Sequence, residues 1–250
     1  MKRNVLVVAN WKNNTTLSDA HVLAMGVRNE IEHLDGVKVV LCPPAVWVTE
    51  VRNIVHDQIH HMGVGLQDIS AEQPGPTTGE IAADLVESLI DYAIIGHSET
   101  LKLHNYDVET ISEKIHSALA SKITPIICVG EKSQSSSSRH SLARKLDSYL
   151  KGVSAEKRSK CIIAYEPIWA ISGGSKKSRR AASAEYVNDV AVQLKKVVPA
   201  NTRVLYGGSV SAENILQFIA QPEIDGVLVG GASLHLREFT TLVKNAARGS

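Results

Sequence analysis

The apolar residues of the chain gather into short continuous runs, separated by longer stretches whose apolar positions recur with helical period. From the N-terminus the runs are "NVLVVAN", "VKVVLC", a run around Val64, "YAIIGH", "ITPIICVG", "KCIIAYEP", "TRVLYGG" and "DGVLVGG". Each holds only about 4–7 residues and is apolar throughout instead of alternating, which is how a strand buried on both faces of a parallel sheet reads. Between them the pattern predicts helices over 18–34, 79–90, 108–120, 141–152, 183–198, 211–220 and 236–247. Ser18 and Ser183 stand where a helix N-cap is expected, and Ser211 opens the seventh helix. The serine-rich tract 133–140 reads as a solvated loop leading into the fifth helix.

Strand and helix alternating eight times, with no shift in composition to mark a linker, predict an α/β fold: one closed (β/α)8 barrel spanning 1–250 as a single domain. A doubly wound open sheet is the alternative. It normally carries a glycine-rich nucleotide fingerprint after an early strand, and none stands here in that setting. With 44% hydrophobic and 21% charged residues, the 250-residue chain has the composition of a globular protein with a full core. A net charge of +1 with scattered basic residues gives no sign of a nucleic-acid surface or of an anionic membrane as partner. Cys42, Cys128 and Cys161 lie in or beside apolar runs without metal-ligand spacing, and read as reduced core thiols. No apolar segment approaches the roughly 20 residues of a membrane span, and the N-terminal run is short for a signal peptide, so a cytoplasmic protein is expected.

Barrel active sites form at the C-terminal ends of the strands, and those ends are polar here. The first run ends in Asn10 and Lys12, the fourth in His97, Ser98 and Glu99, and the sixth in Glu166. The seventh and eighth end in Gly207-Gly208-Ser209 and Gly230-Gly231. Each has a bland alternative: a solvated lysine, a core histidine, a salt-bridged glutamate, tight glycine turns. Barrel closure would bring all of them to one mouth, where a carboxylate, an imidazole and a cation form a base, an electrophile and a charge stabiliser. The glycines would let backbone N–H groups approach an anion, and a short helix starting at Gly231 favours phosphate.

The segments "ANWK", "GHSE", "AYEPIWAI", "YGGSV" and "DGVLVGGASL", in this order, resemble the triosephosphate isomerase family, and "CPPAVW", "TTGEIA" and "CVGEK" extend the likeness over essentially the whole chain. The resemblance implies interconversion of dihydroxyacetone phosphate and glyceraldehyde 3-phosphate, with neither cofactor nor metal. It implies Glu166 as the base, His97 as the electrophile, Lys12 as the cation and Asn10 as a substrate contact. Ser209, Gly230 and Gly231 would hold the phosphate, joined by the backbone of Ser172 in a lid that closes over the site. It also implies a homodimer in which Thr78 approaches Asn10 and Glu99 of the other chain.

Two rival readings are a barrel of the same ancestry that binds a sugar phosphate without turning it over, and an isomerase of larger sugar phosphates. The chain departs from the family pattern in three places. Thr100-Leu101 stand where two basic residues are usual, and Thr77 where an aromatic is common. Counted between its hinges, the lid is longer by about five residues, roughly Ser175 to Arg179.

Overall fold

The computed structural model describes residues 4–55, 61–134, 136–170 and 182–249, with side chains left aside at 136–138. Its strands are β1 Val5–Asn10, β2 Val37–Cys42, β3 Met62–Leu66, β4 Tyr92–Ile95, β5 Thr124–Val129, β6 Ile162–Tyr165, β7 Arg203–Tyr206 and β8 Gly226–Val229. Every strand pairs in parallel with the next, and β8 pairs with β1 through Leu6↔Gly226 to Ala9↔Val229, so the sheet closes into the expected eight-stranded barrel. Closure draws the two backbones close at Gly226. Its φ is +154°, and a Cβ there would lie 1.9 Å from the Leu6 carbonyl oxygen, so a side chain is excluded.

The helices are α1 Leu17–Ile31, α2 Val48–Val55, α3 Ala83–Val86, α4 Ser98–His104, α5 Val108–Ala120, α6 Ser136–Tyr149, α7 Ala155–Arg158, α8 Ala184–Leu194, α9 Ile215–Ile219 and α10 Leu236–Arg248. The barrel wall separates two buried layers. Val5, Val7 and Ala9 of β1 face the helices, whereas Leu6 and Val8 join Val40, Ile94, Ile126, Ala164 and Leu205 inside the barrel. Both faces of each strand are therefore apolar, which is why the runs are continuous.

Several boundaries differ from the sequence expectation. The N-cap of α1 is Thr16, not Ser18: its hydroxyl accepts from the Asp19 N–H, and the Asp19 carboxylate accepts from the Thr16 N–H in return. That reciprocal box satisfies two otherwise orphaned donors, which Ser18 inside the first turn does not do. The helix α2 was not predicted, although its buried Val48, Val51, Ile54 and Val55 are spaced at helical period. The helix expected over 79–90 shrinks to α3. The backbone of α6 begins at Ser136, inside the tract read as loop. At the seventh helix Asn214 is the cap of α9, and its Oδ1 accepts the Ser211 N–H, so 211–214 form a turn. The Ser183 cap of α8 stands as expected.

Candidate active site

Parity positions the site. In β6, Ile162 and Ala164 face the barrel interior, and Glu166, the next residue of the same parity, reaches the interior just beyond the strand end. Asn10 continues the inward series Leu6, Val8 of β1 in the same way. β5 presses against β6 here: the Glu166 N–H donates to the Val129 carbonyl at 2.8 Å, and a Cβ on Gly130 would lie 1.8 Å from the Glu166 carbonyl oxygen. Glu166 is thus held by backbone, and only 2% of it is exposed.

His97 is the N-cap of α4, and its position decides its tautomer. The Glu99 N–H donates to Nδ1 at 3.2 Å, so Nδ1 is an acceptor and the ring proton sits on Nε2. Nε2 stands 3.0 Å from Glu166 Oε1, while the Ser98 N–H donates to Oε2 at 3.2 Å. Burial of the ring favours its neutral form, yet the charge and hydrogen bond of Glu166, with a smaller contribution from Glu99, raise the His97 pKa above its ordinary value. Thr100, one of the departures from the family pattern, donates its hydroxyl to the His97 carbonyl at 2.9 Å, and Leu101 packs on the outer core layer. Both departures are therefore used within the chain.

Lys12 has a φ of 55°, a left-handed conformation costly for a residue with a side chain. Two groups hold it there. The Asn10 carboxamide oxygen accepts the Lys12 N–H at 3.0 Å, and Gln67 donates to the carbonyls of Lys12 at 2.8 Å and Cys42 at 3.0 Å. The ammonium reaches across the mouth to Glu99 Oε1 at 2.6 Å. Its side chain passes Gly230 so closely that a Cβ there would lie 3.2 Å from Lys12 Cε.

These groups surround one pocket of about 210 Å³, lined among others by Asn10, Lys12, His97, Glu166, Ser209 and Gly231. Gly230 lines it too, and Gly231 opens a short 3-10 helix, Gly231–Leu234, as expected. Ser209 donates its hydroxyl to the Ala170 carbonyl at 2.8 Å, and the Tyr206 hydroxyl accepts from the Ala182 N–H at 3.3 Å. Ser172, Ser175–Arg179 and the rest of 171–181 lie outside the described residues. Thr78 sits exposed in a turn and does not line the pocket of its own chain. Among the described residues no group of three or more His, Cys, Asp or Glu stands close enough to hold a metal ion, and no helix is long and apolar enough to cross a membrane. The three cysteines are free and buried, and burial pushes the Cys161 thiol up to about 12.

Three contributors escaped the sequence reading. Glu99 stands among the polar strand-end residues but was assigned no part within its own chain, whereas here it pairs with Lys12 and its N–H orients His97. Gln67 carried no local signal. Glu131 lies in the quoted "CVGEK" without an assigned part, yet its Oε1 accepts from Tyr165 at 2.6 Å, Trp169 at 2.9 Å and Tyr186 at 3.3 Å. That one oxygen ties β6 and the residues after Glu166 to α8.

Comparison with known proteins points to one family. A family model described as "Triosephosphate isomerase" matches residues 5–246. A protein of that name from Dehalococcoides mccartyi (strain ATCC BAA-2266 / KCTC 15142 / 195) is 36% identical over 256 aligned positions, covering 98% of each chain. Its namesake from Nocardia farcinica is 37% identical over 260 positions, covering 100% of this chain and 99% of its own. A third, from Serratia proteamaculans, is 34% identical over 251 positions and covers 98% of each.

Proposed function

The chain belongs to the triosephosphate isomerase family, and from that membership we propose how its residues interconvert dihydroxyacetone phosphate and D-glyceraldehyde 3-phosphate. Glu166 removes a proton from the carbon beside the carbonyl, the electron pair moves to the carbonyl oxygen, and an enediolate forms. A proton passes from the hydroxyl oxygen to the former carbonyl oxygen through the His97 ring, and the same carboxylic acid returns the carbon proton to the neighbouring carbon as the new carbonyl forms. The enediolate is unstable in water, so the site must stabilise developing negative charge as well as supply a base. His97 does so as a neutral imidazole, donating from Nε2–H to the substrate oxygens. The Glu99 N–H on Nδ1 supports that tautomer. With Glu166 turned to the substrate carbon, the strongest influence raising the His97 pKa is gone, while burial and the Lys12 charge still favour the neutral ring.

Lys12 supplies the cation, exchanging Glu99 for the substrate's phosphate and carbonyl oxygens. Ser209, Gly230 and Gly231 hold the phosphate, with the Ser172 backbone joining when water is excluded. The contact between His97 Nε2 and Glu166 Oε1 carries this reading: it joins base and electrophile at 3.0 Å inside a pocket that Gly207, Gly208, Gly230 and Gly231 also line. No cofactor enters the steps. The protein works as a cytoplasmic homodimer of single-domain chains spanning 1–250, in which Thr78 reaches the partner's mouth beside Asn10 and Glu99. Exposed apolar Val46, Leu85 and Leu103 support a covered face, and free buried cysteines suit a reducing compartment. An assay coupled to consumption of the triose product, run with glyceraldehyde 3-phosphate and then with pentose and hexose phosphates, tests the reading. Turnover confined to the triose is expected, and no turnover of any of them would overturn it.

A further inference from the structure

The parity that brings Asn10 and Glu166 to one end of the barrel also sets the residues at the other. Lys38 precedes the inward Val40 by two positions, Thr124 precedes Ile126, and Arg203 precedes Leu205, so all three belong to the inward face of their strands. The register aligns them with the interior residues Leu6, Tyr92 and Ile162 through the pairs Leu6↔Lys38, Tyr92↔Thr124 and Ile162↔Arg203. The lowest inward layer of the barrel therefore contains two cations, from β2 and β7. Lys38 Nζ lies 5.5 Å from the centroid of the Tyr92 ring, folded over its face.

A cavity of about 220 Å³ opens at this end, with Lys38, Arg203, Lys160, Thr124, Ser159 and Asn201 in its wall and no carboxylate. Among the described residues neither Lys38 nor Arg203 takes part in a salt bridge, and Lys160 has only the exposed Glu156 at 3.3 Å. The acids that precede the neighbouring strands are committed elsewhere. Asp91 accepts from Arg52 at 2.9 Å and the Val64 N–H at 3.0 Å, and Asp225 accepts from the Val204 N–H at 2.9 Å with Lys195 at 3.5 Å. Like charges converging in a recess with low-dielectric walls repel one another and concentrate a positive potential, which an anion offsets. The donors are of the kind an oxyanion takes: a forked guanidinium, two ammonium groups, the Thr124 hydroxyl and a carboxamide, the Ser159 hydroxyl being given to the Glu156 carbonyl at 2.6 Å.

We propose that the N-terminal end of the barrel is a second anion site, for a compact phosphate-bearing ion, separate from the catalytic mouth at the opposite end. The cavity admits inorganic phosphate and a small phosphate ester alike. Occupancy offsets the positive charge gathered in the recess and stabilises the folded chain, because the unfolded chain offers no such site.

Titration calorimetry with inorganic phosphate, on the wild type and on a Lys38→Ser/Arg203→Ser double variant, tests the assignment. The wild type is expected to bind one equivalent more than the variant, with isomerase kinetics the same in both; equal stoichiometry and affinity would overturn the site. Because the count is a difference between two proteins, it does not depend on how the catalytic mouth binds phosphate. Two single variants keep the test decisive if the double variant fails to fold. Lys160→Ser at the exposed rim should weaken the extra equivalent by about tenfold, the effect of losing one charged donor. Lys38→Glu should abolish it and raise the melting temperature in phosphate-free buffer, since a carboxylate then shares the recess with Arg203 and Lys160. Unchanged phosphate binding in both single variants would refute the proposal. Repeating the titration with glycerol 3-phosphate identifies the source: tighter binding of the ester marks an organic phosphate as the occupant, and equal binding marks the inorganic ion.

Discussion

The Nε2–H of His97 is directed at the Glu166 carboxylate across 3.0 Å, and the two side chains are 7% and 3% exposed. A buried pair of this kind shares its charge: the carboxylate holds a proton on the ring, and the His97 pKa is raised although burial alone would lower it. A group whose pKa is raised on folding adds stability that is complete below its unfolded value and is lost as pH rises through the folded value. In the free protein this contribution is therefore full below 6.5, the ordinary value, and disappears on the alkaline side of it. Imidazole NMR should show His97 titrating above 6.5 in the wild type and lower in Glu166→Gln. Equal titration in the two proteins would contradict the pairing.

Glu166→Gln should fold and bind substrate with nearly unchanged KM while kcat falls about 10²–10⁴-fold, the range lost when a positioned base is removed. His97→Ala should lower kcat by less, because in the proposed mechanism Lys12 is left to stabilise the developing charge. Steady-state kinetics of both variants provide the check, and near wild-type kcat in Glu166→Gln would remove that residue from the mechanism.

Gln67→Leu removes both donors that hold the carbonyls of Lys12 and Cys42. Lys12 would then relax from its left-handed backbone. Stability should fall by about 1–2 kcal/mol for the lost hydrogen bonds, and KM should rise more than kcat falls because the ammonium is displaced. Urea denaturation and kinetics measure the two effects separately. An unchanged KM would show that Lys12 keeps its place without Gln67.

Glu131→Ala leaves the hydroxyl groups of Tyr165 and Tyr186 and the indole N–H of Trp169 without their shared acceptor. Tyr165 is fully buried, so its orphaned hydroxyl cannot turn to water. A loss of about 2–4 kcal/mol is expected in denaturant unfolding. Glu131→Gln keeps one acceptor oxygen and should recover most of it; if both variants cost the same, the carboxylate's charge rather than its geometry is what matters.

Light scattering from micromolar concentration downwards should report a homodimer, and Thr78→Ala should lower kcat/KM without changing the mass. Thr77, half-buried beside Thr78, donates its N–H to the Gly75 carbonyl at 2.9 Å and so shapes the turn within one chain. A fully active monomer at low micromolar concentration would contradict the dimer.

Much of the barrel could be read along the chain because a strand buried on both faces needs apolar side chains at every position, and that requirement leaves its mark within a few residues. The strand-end residues Asn10, His97, Glu166 and Gly230 were legible for the same reason, since parallel strands set all their C-terminal ends at one mouth. Helix boundaries were less legible: α2 is short, and the caps of α1 and α9 depend on which side chain turns back onto the backbone, Thr16 or Ser18, Asn214 or Ser211. Closure alone decided the partners. Gln67 meets Lys12 across 55 positions, Lys12 meets Glu99 across 87, and Tyr165 meets Glu131 across 34. No local period encodes such pairs, because which strands become neighbours is a property of the closed sheet. The Gln67 bonds that hold the left-handed backbone of Lys12, the meeting of His97 with Glu166 and the two cations that line one recess in the lowest layer all follow from that closure, and so only the tertiary structure could decide them.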